Sequence, residues 1–387
     1  MNNEILVEFK KVFNENADFL INTGGRLEIC GNHTDHNHGL CIVANCSLRV
    51  YAAIKKNLSK ARIQSKGYKY FEFDINDLSL KESEYSTTLA LCKGILFKLA
   101  NDGYKIGGFD AYIESEIPDG SGVSSSAAIE SLFGYIISYL YNDGKISELV
   151  IAKTGQYSEN TYFHKPCGLL DQVGTSFNSS NFIDFKNIDN PLIKTMEFNL
   201  PVAIYLIKSE GNHSNLTPLY KAITDNMRIV ANKLGGKMFL RDVESKDIFK
   251  DIDALDCSLE VKNCAKHFFI ENNNVLQAKE AILNNDLDLF FDALRKSQET
   301  SKNNIKNTFV EGEYKDSPQN IIDDLTPFIK ENGAIRIHGG GFKGTVLAII
   351  KDNFKDQFEE YIYNKYDSSR IFKVYIPKKA LSFQKIN

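Results

Sequence analysis

The sequence predicts an α+β protein built from two domains. Segments with strand-like alternation and segments with helical spacing follow one another along the whole chain, which indicates helices layered on sheets and no repeat array. With 387 residues the chain is long enough to bury two cores. Apolar periodicity weakens between residues 190 and 201, so we expect an N-terminal domain over residues 1–195 and a C-terminal domain over residues 196–387.

The first domain is predicted to mix helices and strands, with turns at glycine-containing dipeptides. Helices are predicted over residues 4–19, 86–99, 124–141 and 147–161. Strands are predicted over residues 26–30, 41–54, 63–73, 109–113 and 182–185.

The second domain shows the same mixture. Strands are predicted over residues 202–207, 334–338, 345–350 and 371–375, and helices over residues 219–234, 253–283, 286–297 and 352–366. Residues 300–319 are polar and aperiodic, which predicts a loop.

Composition and charge exclude several classes of function. The net charge of −4 gives no reason to expect nucleic acid or an anionic membrane as a partner. No apolar run approaches the length of a membrane span, and the acidic N-terminus is not a secretory signal. The seven cysteines are scattered, with no Cys-x-x-Cys pair, as is typical of reduced thiols. We therefore expect a cytoplasmic protein.

A glycine–serine loop, residues 117–128, lies between a predicted strand and a predicted helix. The first backbone N–H groups of a helix have no partner inside it, and the helix dipole adds partial positive charge there. This arrangement favours a polyphosphate ligand. The alternative is a flexible Gly/Ser linker, which is disfavoured because the loop runs directly into the helix. The loop is not a Walker A motif, because no Gly-Lys-Ser/Thr ends it.

A histidine loop, residues 24–39, contains three of the seven histidines. One interpretation is a metal site built from His33, Asp35, His36 and His38, although their order does not match a zinc-hydrolase pattern. A second is a polar loop that hydrogen-bonds a polyhydroxylated substrate, since Asn, His and Asp supply donors and acceptors. A third is a solvated surface loop.

A triple-glycine loop, residues 338–345, matches Gly-x-Gly-x-x-Gly. A strand and not a helix follows it, so we reject a dinucleotide-binding fold. A glycine loop between two strands instead suits close approach of its backbone to a ligand or to the other domain.

Asp171 is a carboxylate inside the apolar run of residues 167–172. Buried acids are uncommon unless they are paired or functional. Glu159 lies on the preceding predicted helix, so one acid could serve as a base while the other binds Mg²⁺.

Taken in order, these four segments resemble the motifs of the GHMP kinase family and, within it, the galactokinases. The histidine loop resembles the pattern Gly-Arg-Val-Asn-Leu-Ile-Gly-Glu-His-Thr-Asp-Tyr-Asn-Gly-Gly, and the glycine–serine loop resembles Pro-x-Gly-x-Gly-Leu-Ser-Ser-Ser-Ala. Residues 339–344 resemble Gly-Gly-Gly-Phe-Gly-Gly, and residues 167–172 resemble Cys-Gly-Ile-Met-Asp-Gln. His213-Ser214 followed by Tyr220 is a weaker similarity. Residues 254–332 diverge most.

The resemblance implies two α/β domains with the active site in the cleft between them, and ATP-dependent phosphorylation of galactose at its C1 hydroxyl. Asp171 would be the base, and Arg26 would keep it ionised and neutralise charge on the transferred phosphoryl group. The remaining implied roles are Mg²⁺ coordination by Ser126 and Glu159, ATP-phosphate binding by Gly120, Ser121, Gly122, Ser124 and Ser125, and sugar binding by Asn32, His33, Asp35, Gly168 and Tyr220. ATP and a monosaccharide would be the partners, and the family suggests a monomer.

Three departures from the pattern bear on ligand binding. Asn32 stands where the pattern has Glu, His36 where it has Tyr, and Lys343 where it has Gly. The resemblance implies that the Glu of the pattern accepts a hydrogen bond from the sugar near C6. A charged acceptor strengthens such a hydrogen bond by about 1 kcal/mol relative to a neutral one, so Asn32 could shift preference toward a C6-altered or N-acetylated sugar. Lys343 could add charge near the nucleotide phosphates. Residues 295–323 also depart from the pattern.

Two further functions remain open from the sequence. A sugar- and ATP-binding regulator without turnover is disfavoured by the complete glycine–serine loop. A kinase for another alcohol, such as mevalonate or homoserine, is disfavoured by the sugar-type His33-Thr34-Asp35 and by Asp171-Gln172.

Overall fold

Two β-sheets organise the protein in a computed structural model that describes residues 2–210, 216–315 and 317–386. The first sheet has eight strands in the described residues, with the order β12-β1-β2-β5-β3-β4, and β6 and β7 extend from β2. These strands are β1 (Phe19–Cys30), β2 (Leu40–Asn57), β3 (Lys60–Ser65), β4 (Phe71–Asp74), β5 (Gly108–Ser115), β6 (Ser180–Asp184), β7 (Leu192–Met196) and β12 (Leu381–Lys385).

Both faces of the first sheet are covered by helices, because alternate residues of β2 and β5 point to opposite sides. Ala53 and Tyr112 pack against helix α1 (Asn2–Phe13), whereas Ala52 and Ala111 join the main core on the other face. The main core includes side chains from α2 (Thr88–Asn101), α3 (Ser125–Tyr141) and α4 (Glu148–Tyr157). The short helix α5 (Leu170–Ser176) packs against β1 and β2.

The second sheet is antiparallel in the order β11-β8-β10-β9, made of β8 (Val202–Lys208), β9 (Gly333–His338), β10 (Thr345–Lys351) and β11 (Ile371–Val374). One face packs on α10 (Pro318–Ile329) and α11 (Lys355–Lys365). The other face shares the main core with α8 (Leu259–Asn284) and α9 (Leu287–Thr300). The remaining helices, α6 (Thr217–Lys233) and α7 (Ile248–Asp253), form a cluster with α8.

The predicted α+β architecture is confirmed, with corrections to individual elements. The helix predicted over residues 4–19 ends at Phe13, because Asn14 adopts a left-handed φ of 56°. The strand predicted over residues 63–73 is the pair β3 and β4, joined by a turn at Gly67. The predicted loop over residues 300–319 begins as a π-helical turn that continues α9 and ends in the first turn of α10.

The last strand joins the first domain. β12 pairs antiparallel with β1, with Phe19 opposite Lys385, and so returns the end of the chain to the eight-stranded sheet. β7 occupies part of the segment in which apolar periodicity weakens. We keep the division near residue 195 as a proposal and assign β12 to the first of the two units.

Two structural observations concern membrane spans and thiols. Within the described residues, no helix combines the length and the apolar character that crossing a membrane requires. All seven cysteines lie in the described part of the chain and carry free thiols. A cytoplasmic location stays a prediction.

Candidate active site

A cleft of about 310 Å³ opens where the two sheets meet. The glycine–serine loop forms one wall, and the triple-glycine loop forms the other. Side chains that line the cleft include Arg26, Ser124, Ser126, Lys165, Asp171, Tyr220, His338, Lys343 and Thr345. The fold thus brings together residues of all four segments that the sequence singled out, although the segments are far apart along the chain.

Arg26 and Asp171 form an ion pair at the floor of this cleft. Nε of Arg26 donates to Oδ1 of Asp171 over 2.7 Å, and Nη1 donates to the carbonyl oxygen of Gly122 over 2.6 Å. Arg26 lies on β1, and Asp171 lies in the first turn of α5. The two elements can approach this closely because residue 174 is a glycine. A Cβ atom at Gly174 would lie only 2.6 Å from Cβ of Arg26 and would clash with it.

The Asp171 carboxylate is held in its charged form. Burial raises its pKa, but the charge of Arg26 and the hydrogen bonds from Ser124 and Arg26 outweigh that effect and hold the pKa below its ordinary value. Oγ of Ser124 donates to Oδ2 over 2.6 Å, so each carboxylate oxygen has its own donor. Asp171 is therefore ionised at neutral pH and fixed in orientation.

The glycine–serine loop leads into α3 with an open helix N-terminus. Gly120, Gly122 and Ser124 have φ values of 69°, 74° and 58°, which fold the loop back on itself. Ser124, the residue before the first turn, does not cap the helix with its side chain, which binds Asp171 instead. The N–H groups of the first turn thus remain available to a ligand in the cleft.

Ser126 and Glu159 lie together next to this helix start. Oγ of Ser126 donates to Oε1 of Glu159 over 3.2 Å, and Gln172 donates to Oε2 over 2.9 Å. Glu159 is buried in the π-helical turn (Ser158–Tyr162) that follows α4. A hydroxyl and one carboxylate are oxygen ligands that suit Mg²⁺, which takes its other ligands from water and substrate phosphates. The residues therefore fit this ion.

The histidine loop does not form a metal site. Among the described residues, no group of three or more His, Cys, Asp or Glu side chains is arranged to hold a metal ion. His33 instead faces His36, with Nδ1 and Nε2 3.3 Å apart, and its Nε2 lies 2.9 Å from the carbonyl oxygen of Gly340. Burial lowers the pKa of both histidines, so they are neutral at neutral pH.

Asp35 and Gly168 are in direct contact on the sugar side of the predicted site. A Cβ at Gly168 would lie 2.4 Å from Oδ2 of Asp35, so this position requires glycine while Asp35 keeps its place. Burial raises the pKa of Asp35 to about 6. Tyr220 stacks on His33 with ring centroids 6.1 Å apart, and its hydroxyl donates to the carbonyl of Gly341. His213-Ser214 lies outside the described residues.

The structure does not bring Asn32 to the cleft. Its side chain is buried, and Nδ2 donates to Oε1 of Glu28 over 2.9 Å and to the carbonyl of Gly339 over 2.6 Å. Its Oδ1 accepts from Nδ2 of Asn307 over 2.7 Å. Both amide hydrogens are thus used inside the protein, and Asn32 ties the histidine loop to the triple-glycine loop.

A buried ion pair between Arg336 and Glu28 lies next to Asn32 and was not predicted from the sequence. Nη2 of Arg336 lies 3.3 Å from Oε1 of Glu28, and Nη1 donates to the backbone carbonyls of Glu28 and Ile29. The sequence did indicate that this position is unusual, because the family pattern has Asn where this chain has Glu28.

Lys343 does not extend freely into the cleft, because its Nζ pairs with Glu313 over 2.6 Å.

Two family models match segments that form this site. The description "GHMP kinases N terminal domain" matches residues 90–179, which contain the glycine–serine loop, Glu159 and Asp171. The description "Galactokinase galactose-binding signature" matches residues 7–56, which contain Arg26 and the histidine loop. The chain thus carries a GHMP kinase N-terminal domain together with a galactokinase galactose-binding signature. The predicted GHMP kinase fold is confirmed as well.

Relatives of this chain include named galactokinases. The galactokinase of Lactobacillus helveticus is 28% identical over 376 residues, covering 93% of this chain and 92% of that protein. The galactokinase of Streptococcus thermophilus is 26% identical over 374 residues with the same coverage. The crystal structure of Lactococcus lactis galactokinase complexed with galactose superposes with a TM-score of 0.81 at 21% identity over the full length of both chains.

Proposed function

We propose that this chain is a galactokinase, which transfers the γ-phosphoryl group of ATP to the C1 hydroxyl of galactose and yields galactose 1-phosphate and ADP. The observation that carries the proposal is the position of Asp171, held ionised between Arg26 and Ser124 beside an open helix N-terminus. The relatives named above, which match nearly the whole chain, support the choice of galactose.

In the proposed mechanism Asp171 orients the C1 hydroxyl and accepts its proton. A carboxylate with a depressed pKa is a weak base toward an alcohol in the ground state. Proton transfer therefore occurs as the oxygen–phosphorus bond forms and the hydroxyl becomes acidic, which suits the loose transition state of phosphoryl transfer. Arg26 stabilises the negative charge that develops between the two reactants.

The nucleotide side of the site uses the glycine–serine loop. Its backbone at Gly120, Ser121 and Gly122, together with Ser124 and Ser125, would hold the ATP phosphates at the start of α3. Ser126 and Glu159 would hold Mg²⁺, which when bound neutralises phosphate charge. Positioning and charge neutralisation supply most of the catalysis in this reaction class.

The proposed substrate has a free C6 hydroxyl, because a carboxylate is present beside Asn32. The alternative of a C6-altered sugar rests on the lack of a carboxylate at position 32, but Glu28 places one within 2.9 Å of Asn32. Both donors to Glu28 bind Oε1, and within the described residues Oε2 has no hydrogen-bond donor. The charge of Glu28 also acts on the pKa of Arg26 and of Asp35, so it lies close to the predicted sugar site.

The decisive experiment measures ADP release from Mg-ATP with galactose, 2-deoxygalactose, fucose, galacturonate, N-acetylgalactosamine and glucose. We expect turnover with galactose and a loss of about 10³-fold in kcat for Asp171→Asn, within the range for removing a general base. Turnover only with a C6-altered sugar would instead make that sugar the substrate. Sugar binding without any turnover would identify a regulator and refute the proposed activity.

A further inference from the structure

Lys165 is a cation in the catalytic cleft that no motif of the sequence accounts for. Its Nζ lies 2.8 Å from Oε1 of Glu159, and its side chain lines the same cleft as Arg26 and Asp171. The lysine side chain is 59% exposed, whereas the Glu159 side chain is 2% exposed. An exposed positive charge is thus in contact with a buried carboxylate.

The charge of Lys165 acts on Asp171 as well as on Glu159. Burial lowers the pKa of this lysine, but the charge and hydrogen bond of Glu159 and the charge of Asp171 outweigh that effect and raise it. In turn, the charge of Lys165 is among the influences that lower the pKa of Asp171. Lys165 therefore lies in the electrostatic field of both carboxylates to which the proposed mechanism assigns a role.

An ordinary surface ion pair does not explain this arrangement. Exposed Lys–Glu pairs contribute little, because water solvates both partners. Here Glu159 is already satisfied by Ser126 on Oε1 and by Gln172 on Oε2, so Lys165 is not its only partner. A Mg²⁺ ion at Glu159 and Ser126 would compete with Lys165 for Oε1 and would release the ammonium group into the cleft.

The other lysine that lines the cleft is less available. Lys343 is held by Glu313 on the opposite wall. Lysine is a frequent point-charge ligand of phosphate, and the long stem of Lys165 allows its ammonium group to move by several ångströms. Incoming nucleotide phosphates would supply the negative charge that replaces Glu159 as its partner.

We propose that Lys165 is a ligand of the terminal phosphate of a bound nucleoside triphosphate. Before the nucleotide binds, Lys165 neutralises Glu159. When the triphosphate and Mg²⁺ occupy the cleft, its ammonium group moves from the Glu159 carboxylate to the oxygens of the phosphoryl group that is transferred. This inference rests on the proposed kinase function and adds a residue that contacts the reacting group.

The test compares Lys165→Met and Lys165→Arg with a control, Lys145→Met, whose lysine is exposed and pairs with Asp143. Calorimetry would measure binding of ADP and of a non-hydrolysable ATP analogue, each with Mg²⁺ and without sugar. We expect Lys165→Met to weaken binding of the analogue about tenfold and binding of ADP less than twofold, since only the triphosphate reaches Lys165. Lys165→Arg should recover part of the affinity.

Two further measurements separate this role from a structural one. Mn²⁺ binding without nucleotide, followed by electron paramagnetic resonance, should tighten in Lys165→Met because a competitor for Glu159 is removed. With galactose, kcat should fall about 10- to 100-fold, while the KM for galactose changes little. Equal weakening of ADP and analogue binding, or unchanged binding of both, would overturn the inference.

The same design distinguishes the inference from the proposed function. If the wild type phosphorylates none of the sugars but Lys165→Met still loses analogue binding selectively, the sugar kinase function fails and the phosphate contact stands. If galactose is phosphorylated and Lys165→Met behaves like Lys145→Met, the function stands and the role of Lys165 is refuted.

Discussion

The side-chain amide of Asn32 donates a hydrogen bond to Oε1 of Glu28 over 2.9 Å, and both side chains are buried. In the motif that this segment resembles, Asn occupies the position of Glu28 and Glu the position of Asn32. The chain has thus exchanged a carboxylate and an amide within one contact. Because the two side chains are in contact, the negative charge stays in the same region of the structure, although the residue that carries it lies four positions earlier in the chain.

The first prediction concerns this exchange. Glu28→Asn leaves the buried Arg336 without its nearest carboxylate, and Asn32→Glu places two carboxylates side by side. Each single change should lower the free energy of unfolding by about 3 kcal/mol, because each leaves an uncompensated buried charge. The double variant Glu28→Asn/Asn32→Glu should lose less than the sum of the two. Denaturant unfolding of all four proteins measures the coupling.

Additive losses in that cycle would contradict the idea that the two residues act as one exchanged pair. Glu28→Gln is a useful companion, since it keeps the size of the side chain and removes only the charge. We expect it to weaken galactose binding as well as stability, whereas Asn32→Asp should affect mainly stability.

The second prediction concerns the hydrogen bond from Ser124 to Asp171. Ser124→Ala removes a donor to the ionised carboxylate, so the pKa of Asp171 should rise. Because the ionised form is the active one, the acidic limb of the kcat–pH profile should move to higher pH. At neutral pH Asp171 stays ionised in the variant, so kcat there should fall only through the lost orientation of the carboxylate. In the Asp171→Asn background the same serine change should leave the pH profile unaltered. An unshifted acidic limb in Ser124→Ala would refute this assignment.

The third prediction concerns Gly168. Its backbone needs no left-handed φ, so alanine there meets only a steric obstacle, Oδ2 of Asp35 at 2.4 Å. Gly168→Ala should displace the Asp35 carboxylate and raise the KM for galactose about tenfold, with a smaller effect on the KM for ATP. In the Asp35→Ala background the added methyl group should cause no further loss. An equal loss in both backgrounds would mean that Gly168 acts independently of Asp35.

The fourth prediction is a pH dependence of sugar binding. Burial raises the pKa of Asp35 to about 6, and a sugar hydroxyl donates to the ionised carboxylate. Sugar binding should therefore favour the ionised form, lower this pKa and release protons. Affinity should rise as the pH increases from about 5 to about 7 and then level off.

Calorimetry in buffers of different ionisation enthalpy checks this proton release. Burial lowers the pKa values of the neighbouring His33 and His36, and Asp171 stays ionised, so the Asp35→Asn variant is needed to separate the titration of Asp35 from that of the histidines. Asp35→Asn should bind the sugar more weakly and without this pH dependence. A pH-dependent affinity that persists in Asp35→Asn would assign the titration to another group.

Local patterns of the sequence were sufficient where local chemistry controls structure. The glycine–serine loop and the helix after it were predicted nearly to the residue, because glycine turns and an apolar-periodic segment are local signals. Strands β8, β9 and β10 were also predicted, since buried strands are continuous apolar runs. The edge strands β7 and β12 were missed, because their exposed positions weaken the apolar alternation.

Periodicity and contiguous motifs were enough to predict the fold class, the resemblance to GHMP kinases and the set of candidate residues. Which of these groups meet depends on how the chain packs. The tertiary structure joined Arg26 to Asp171, which are 145 residues apart, turned Asn32 inward onto Glu28 and placed Lys165 on Glu159. The physical reason is that hydrogen bonds and ion pairs depend on distances of about 3 Å, which the packing of β1, α5 and the triple-glycine loop sets.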